Sequence, residues 1–125
     1  MENRVVITGM GIYSCLGTSL DEVTESLRKG KSGIVYDEER KEYGFKSALT
    51  GKVPTPDLKN ILNRRQRITI GEETEYAYMS TIQALGQANI SHAYLQENEV
   101  GILFGNDSVS RAVIEATDIV REKKD

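Results

Sequence analysis

The chain holds a single cysteine and a single histidine. One cysteine cannot form an internal disulfide, so the expected compartment is the reducing cytoplasm. The lone histidine, His92, reads as a residue of a polar linker and makes no metal site. A nucleophilic thiol needs an activating base or another setting that lowers its pKa. Cys15 has no such partner in sequence and reads as a small residue buried beside a turn. No apolar run approaches the ~20 residues of a membrane span. Val5 to Ile7 is too short for a signal-peptide core, so the matches to the N-glycosylation pattern at Asn89 and Asn106 are incidental. Cations are also scarce: 16 Lys and Arg against 19 Asp and Glu leave a net charge of −3. Non-specific nucleic-acid binding, which needs clustered cations, is excluded as a function class.

Hydrophobic residues make up 38% of the 125 positions. That is low for a sheet covered by helices on both faces, and it implies that part of the apolar partner surface lies elsewhere. The length suits one domain without an internal boundary.

The stretch that organises the rest is Arg4-Val5-Val6-Ile7-Thr8-Gly9-Met10-Gly11, followed by Ser14-Cys15-Leu16-Gly17. Consecutive apolar residues without polar alternation predict a strand buried on both faces of an α/β fold. The glycines permit a sharp turn or a close approach of another segment. A dinucleotide fingerprint needs a third glycine where Ser14 stands and an acidic residue about 20 positions on. Neither is present, and there is no P-loop.

Ser19 and Glu22 predict a capping box at the start of a helix. Its face is Leu20, Val23 and Leu27, and Gly30 is its left-handed stop. Lys31 to Pro56 has no helical period and predicts loops with one or two short strands around Ser47 to Val53. The acids Asp37, Glu38 and Glu39 read as a solvated loop. A short helix is expected over Asp57 to Asn63, and a longer one over about Glu72 to Ala88. The latter carries Tyr78, Ile82 and Leu85 on one face and small residues at 77, 84, 86 and 88. Val100 to Gly105 predicts a second buried strand. Val109, Val113, Ala116 and Val120 predict a last helix. Two strands make a poor independent sheet, so further βα units are expected to follow. Arg64-Arg65-Gln66-Arg67 is a dense basic cluster in an acidic chain. It reads either as a solvated face or as a docking patch for an acidic partner or a phosphate group.

The residues 4–11 and 14–17, Leu27-Arg28-Lys29-Gly30-Lys31-Ser32-Gly33-Ile34, and Val100-Gly101-Ile102-Leu103-Phe104-Gly105-Asn106 together resemble the N-terminal part of the β-ketoacyl-acyl carrier protein synthases. Glu38 to Ser47 with Gly51-Lys52-Val53 resembles the synthase I branch more than synthase II. The resemblance implies a layered α-β-α-β-α thiolase-like fold with a mixed sheet, of which residues 1–125 form part of the N-terminal half, and a homodimer. It implies no cofactor. The implied chemistry is a decarboxylative Claisen condensation of an acyl thioester with malonyl-acyl carrier protein, run by a cysteine and two histidines. Those residues are expected downstream of Asp125, so no catalytic residue carries over, and the 125 residues alone are expected to be inactive.

Arg64 and Arg65 match the family's carrier-protein-binding positions. Arg67 sits one residue before the family's third arginine, whose place is taken by Ile68. Ser108 aligns near the acyl pocket. The alternatives are a chain-length-factor-like partner subunit, a polyketide or polyene ketosynthase, and a nucleotide-binding half-domain.

Overall fold

The computed structural model describes residues 4–106 and 111–123. The elements run α1 (Leu20–Arg28), β1 (Ile34–Tyr36), α2 (Glu38–Glu42), β2 (Leu49–Gly51), α3 (Arg64–Arg67), α4 (Glu72–Gln87), α5 (His92–Glu97) and α6 (Arg111–Lys123).

Helix α1 forms as its sequence dictates. Ser19 adopts an extended backbone and its hydroxyl accepts from the Glu22 N–H at 3.3 Å. The Glu22 carboxylate closes the N-terminus one residue earlier than a standard box. It accepts from the Thr18 N–H at 2.7 Å and from the Thr18 hydroxyl at 3.0 Å. These contacts hold its carboxyl below the usual 4.5. At the other end, Gly30 takes φ +62. Its N–H meets the Leu27 carbonyl and the Lys31 N–H meets that of Ser26, a Schellman stop. The buried face differs from the expectation. Val23 and Ser26 are buried, while Leu27 is exposed. Ser26 is satisfied because its hydroxyl donates to the Leu16 carbonyl at 2.8 Å.

Strands β1 and β2 pair antiparallel in the register Ile34 with Gly51, Val35 with Thr50 and Tyr36 with Leu49. The sequence placed β2 correctly. It missed α2, since Asp37 caps that helix by accepting from the Arg40 N–H, and Glu38 and Glu39 form its first turn. These acids favour a helix N-terminus by dipole complementarity rather than lying in a loop. The Arg40 guanidinium stacks 4.6 Å over the Phe45 ring.

Three further expectations are corrected. Asp57 to Asn63 is a single turn, not a helix. Asp57 accepts from the Lys59 N–H, and the Leu62 N–H closes on the Leu58 carbonyl. His92 opens α5, capped by Ser91, rather than lying in a linker. The two predicted central strands are not formed among the described residues. Segments 4–8 and 100–106 carry no strand, because no described segment offers either a backbone partner.

The core is accordingly small: among the described residues Val23, Ala48, Pro56 and Leu58 are the buried apolar ones. The chain exposes 10815 Å². A compact monomer of its 13.9 kDa exposes roughly 6,700 Å². Much of the excess apolar surface is on the two strand-like segments, where Val5 is 96% and Leu103 98% exposed. No helix among the described residues is long and apolar enough to cross a membrane.

Candidate functional site

The glycine stretch is held against α4. A Cβ on Gly9 would strike the Ala84 carbonyl and come within 2.9 Å of the Ala88 Cβ. A Cβ on Gly11 would strike the Ser80 carbonyl and lie 2.9 Å from the Ala84 nitrogen. The small residues of α4 and the two glycines thus give one close backbone-to-helix contact. Two glutamines, one helical turn apart, secure it. Gln87 accepts from the Met10 N–H at 2.7 Å, and Gln83 accepts from the Ile12 N–H at 3.2 Å. The amide nitrogen of Gln83 donates to the Thr18 carbonyl at 2.7 Å, tying the far end of the turn to the same side chain. Sequence reasoning missed both glutamines. A polar residue on a half-exposed helix face carries no signal of its distant backbone partner.

Within that stretch, Ser14 and Gly17 exchange both backbone hydrogen bonds, at 3.0 and 3.3 Å, around Cys15 and Leu16. Cys15 is half-buried rather than buried. A Cβ on Gly33 would approach its sulfur to 2.7 Å, and one on Gly51 to 3.1 Å. The thiol fills the gap that these two glycines leave, and no base stands beside it among the hydrogen bonds described. His92 pairs with Gln96 at 3.1 Å on α5. Among the described residues no cluster of His, Cys, Asp and Glu could hold a metal. Tyr13 stacks on Tyr76 with ring centroids 5.8 Å apart. Burial, with a hydrogen bond to Glu72, pushes the Tyr76 phenol above its ordinary value.

The basic cluster forms its own short helix, α3, separated from α4 by residues 68–71. Asn63 and Gln66 close a reciprocal capping box: the Asn63 side chain accepts from the Gln66 N–H, and the Gln66 side chain accepts from the Asn63 N–H, both at 3.0 Å. The Asn-x-x-Gln pattern was the available signal for this helix. The three arginines then diverge. The Arg67 Nε donates to the Leu62 carbonyl at 3.2 Å, and the residue is half-buried. Arg64 and Arg65 are exposed, and neither is bonded to another described residue's side chain. Ser108 lies outside the described residues.

The class of protein emerges from the shape. The chain superposes on a crystal structure of a β-ketoacyl synthase from Burkholderia phymatum with a TM-score of 0.84, covering 99% of this chain and 31% of that one at 24% identity. The fold is therefore that of the corresponding segment of that synthase. Sequence carries the assignment further: residues 2–124 match the family described as Beta-ketoacyl synthase, N-terminal domain, and the chain belongs to that family.

Among its relatives, 3-oxoacyl-(acyl-carrier-protein) synthase 1 of Buchnera aphidicola subsp. Acyrthosiphon pisum is 38% identical over 104 residues, 82% of this chain and 25% of the relative. The synthase 1 of Escherichia coli K12 is 36% identical over the same shares. A synthase 2 of Vibrio harveyi is 27% identical over 115 residues, 92% of this chain and 28% of the relative. The expected lean toward the synthase I branch agrees with these identities. The chain spans about a quarter of the length of the synthase 1 relatives, at 25% of each.

Proposed function

We propose that this chain is part of a cytoplasmic β-ketoacyl-acyl carrier protein synthase of fatty acid biosynthesis, homodimeric in its complete form. In that reading residues 1–125 supply scaffold and partner docking to a decarboxylative condensation, and they hold no catalytic residue. The glycine stretch on α4 is scaffold. Cys15 sits between two glycines without a base, which is a packing role. By alignment with the family, Ser108 is assigned a part in setting acyl chain length.

The docking role belongs to Arg64 and Arg65, and one observation carries it. In a chain of net charge −3, two adjacent exposed guanidinium groups are presented by a capped helix and left unpaired by their described neighbours. Such a pair attracts an acidic protein surface and speeds encounter with it. Arg67, spent on the Leu62 carbonyl, contributes charge but less reach.

The test has two arms. The chain is incubated with acyl-acyl carrier protein and malonyl-acyl carrier protein. Neither acylation of Cys15 nor decarboxylation is expected, and either one overturns the scaffold reading. Separately, Arg64→Glu with Arg65→Glu is expected to weaken carrier-protein binding about tenfold or more. Unchanged affinity returns the patch to a solvated face.

A further inference from the structure

We propose that this chain closes a dimer with a second copy of itself through an antiparallel seam at Val5, Val6 and Ile7, two-fold symmetric about Val6. The seam follows from one exposed face and is independent of the docking reading above.

Segments 4–8 and 100–106 lie near each other, since Thr8, Gly9 and Phe104 line one cleft of about 350 Å³ with Ala84, Ala88 and Ile90 among others. Together they present an apolar face. Val6 is 65% and Ile7 84% exposed beside Val5, and Ile102, Leu103 and Phe104 are exposed as well. No Asp, Glu, Lys, Arg or Pro occurs in residues 5–10 or 100–106. Soluble proteins guard open strand edges with such residues, and monomers rarely expose an apolar patch of more than a few hundred Å². Among the described residues, none hydrogen-bonds the backbone of residues 5–8 or 100–105. Their donors and acceptors are therefore open to an added strand.

The area suffices for a second copy. The chain exposes 10815 Å², about 4,000 Å² more than a compact monomer of its mass. A standard interface takes about 800 Å² from each partner, a fraction of that excess. The seam is also self-complementary. With two copies antiparallel about Val6, Val6 meets Val6, Val5 meets Ile7 and Arg4 meets Thr8. Each central pair is β-branched, which suits adjacent strands, and no like charges face each other. An uncharged face offers a foreign partner no charge to select, whereas a two-fold axis sets the same patch on both sides and closes at two copies.

The 125-residue chain is measured by sedimentation equilibrium from about 1 to about 100 μM. Its mass is expected to rise from 13.9 kDa to a plateau at twice that value. Amide exchange should show residues 5–7 protected at the high concentration and unprotected on dilution. Val6→Lys sets two ammonium groups against each other at the axis and is expected to weaken association about tenfold or more. Val5→Lys combined with Ile7→Glu sets an ammonium against a carboxylate in the antiparallel register, and like against like in a parallel one. The combination is expected to associate more tightly than Val5→Lys alone. Circular dichroism checks that each variant keeps its helix content. A monomer at about 100 μM overturns the proposal and leaves the face to another polypeptide. A mass that climbs past two copies without a plateau, or normal association of Val6→Lys, overturns it too. Association of the combined variant no tighter than that of Val5→Lys rejects the antiparallel seam.

Discussion

The same substitution, glycine to alanine, should have opposite effects at two positions that touch or form α4. At Gly11 the new methyl meets the Ser80 carbonyl and lies 2.9 Å from the Ala84 nitrogen. Both are helix backbone and cannot rotate away, so the chain must lift off α4. Overpacking of this kind costs about 1–3 kcal/mol. Lifting the segment also strains the bonds from Ile12 to Gln83 and from Met10 to Gln87, each worth about 0.5–1.5 kcal/mol. Gly11→Ala should therefore destabilise the chain by about 2–6 kcal/mol. At Gly86, near the end of α4, a methyl meets nothing within 4 Å. There, reduced backbone entropy of the unfolded chain should stabilise by about 0.5–1 kcal/mol. Urea unfolding followed by far-ultraviolet circular dichroism measures both. With a slope of about 1–3 kcal/mol per molar, the two midpoints should move apart by more than about 1 M. If Gly11→Ala matches Gly86→Ala in sign, residues 9–12 do not lie on α4 as described.

Ser26→Ala should cost about 1–3 kcal/mol, since it strips the Leu16 carbonyl of its donor inside the core. A urea midpoint unchanged from the parent would show that carbonyl to be solvated instead. Glu22 provides a pH signature. Its folded pKa is depressed below 4.5, chiefly by the Thr18 N–H and hydroxyl. Its contribution is therefore complete above the unfolded value and is lost as pH falls through the folded one. Glu22→Gln should flatten the acid side of the stability profile below about pH 4.5 and leave the neutral side parallel to the parent. A profile of unchanged shape would show that Glu22 has no part in it.

Local features were legible in the sequence where the cause is local. Ser19, Glu22 and Gly30 lie within one or two turns of the atoms they satisfy, so α1 could be bounded from spacing alone. The possibility that Gly9 and Gly11 permit close approach, and that Ala84 and Ala88 permit the same on α4, was also readable, although their meeting in space was not. What failed was of two kinds. Val5 to Ile7 and Ile102 to Phe104 have strand composition, but a strand is a relation between two backbones, and composition describes one. Leu27 carried the right helical spacing yet is exposed. The turn at Cys15 and Leu16 covers α1 through a hydroxyl-to-carbonyl bond and selects Ser26 for the interior. At the candidate docking surface, Arg64 and Arg65 were identifiable as a cluster. The diversion of Arg67 to a backbone carbonyl depends on the turn at Leu58 to Leu62, which the sequence had suggested was a helix.

The two glutamines of α4 also impose a parity. Four residues of helix rise about 6 Å, close to the advance of two residues along an extended chain. Gln83 and Gln87 therefore match Ile12 and Met10 and skip Gly11 between them. In extended backbone, successive N–H groups point to opposite edges. The N–H groups of Met10 and Ile12 are taken by side chains, and between them only that of Gly11 is left for a neighbouring backbone. A one-residue slip of residues 10–12 along α4 would break both bonds at once. Two amides on a helix act as a ruler for a sheet.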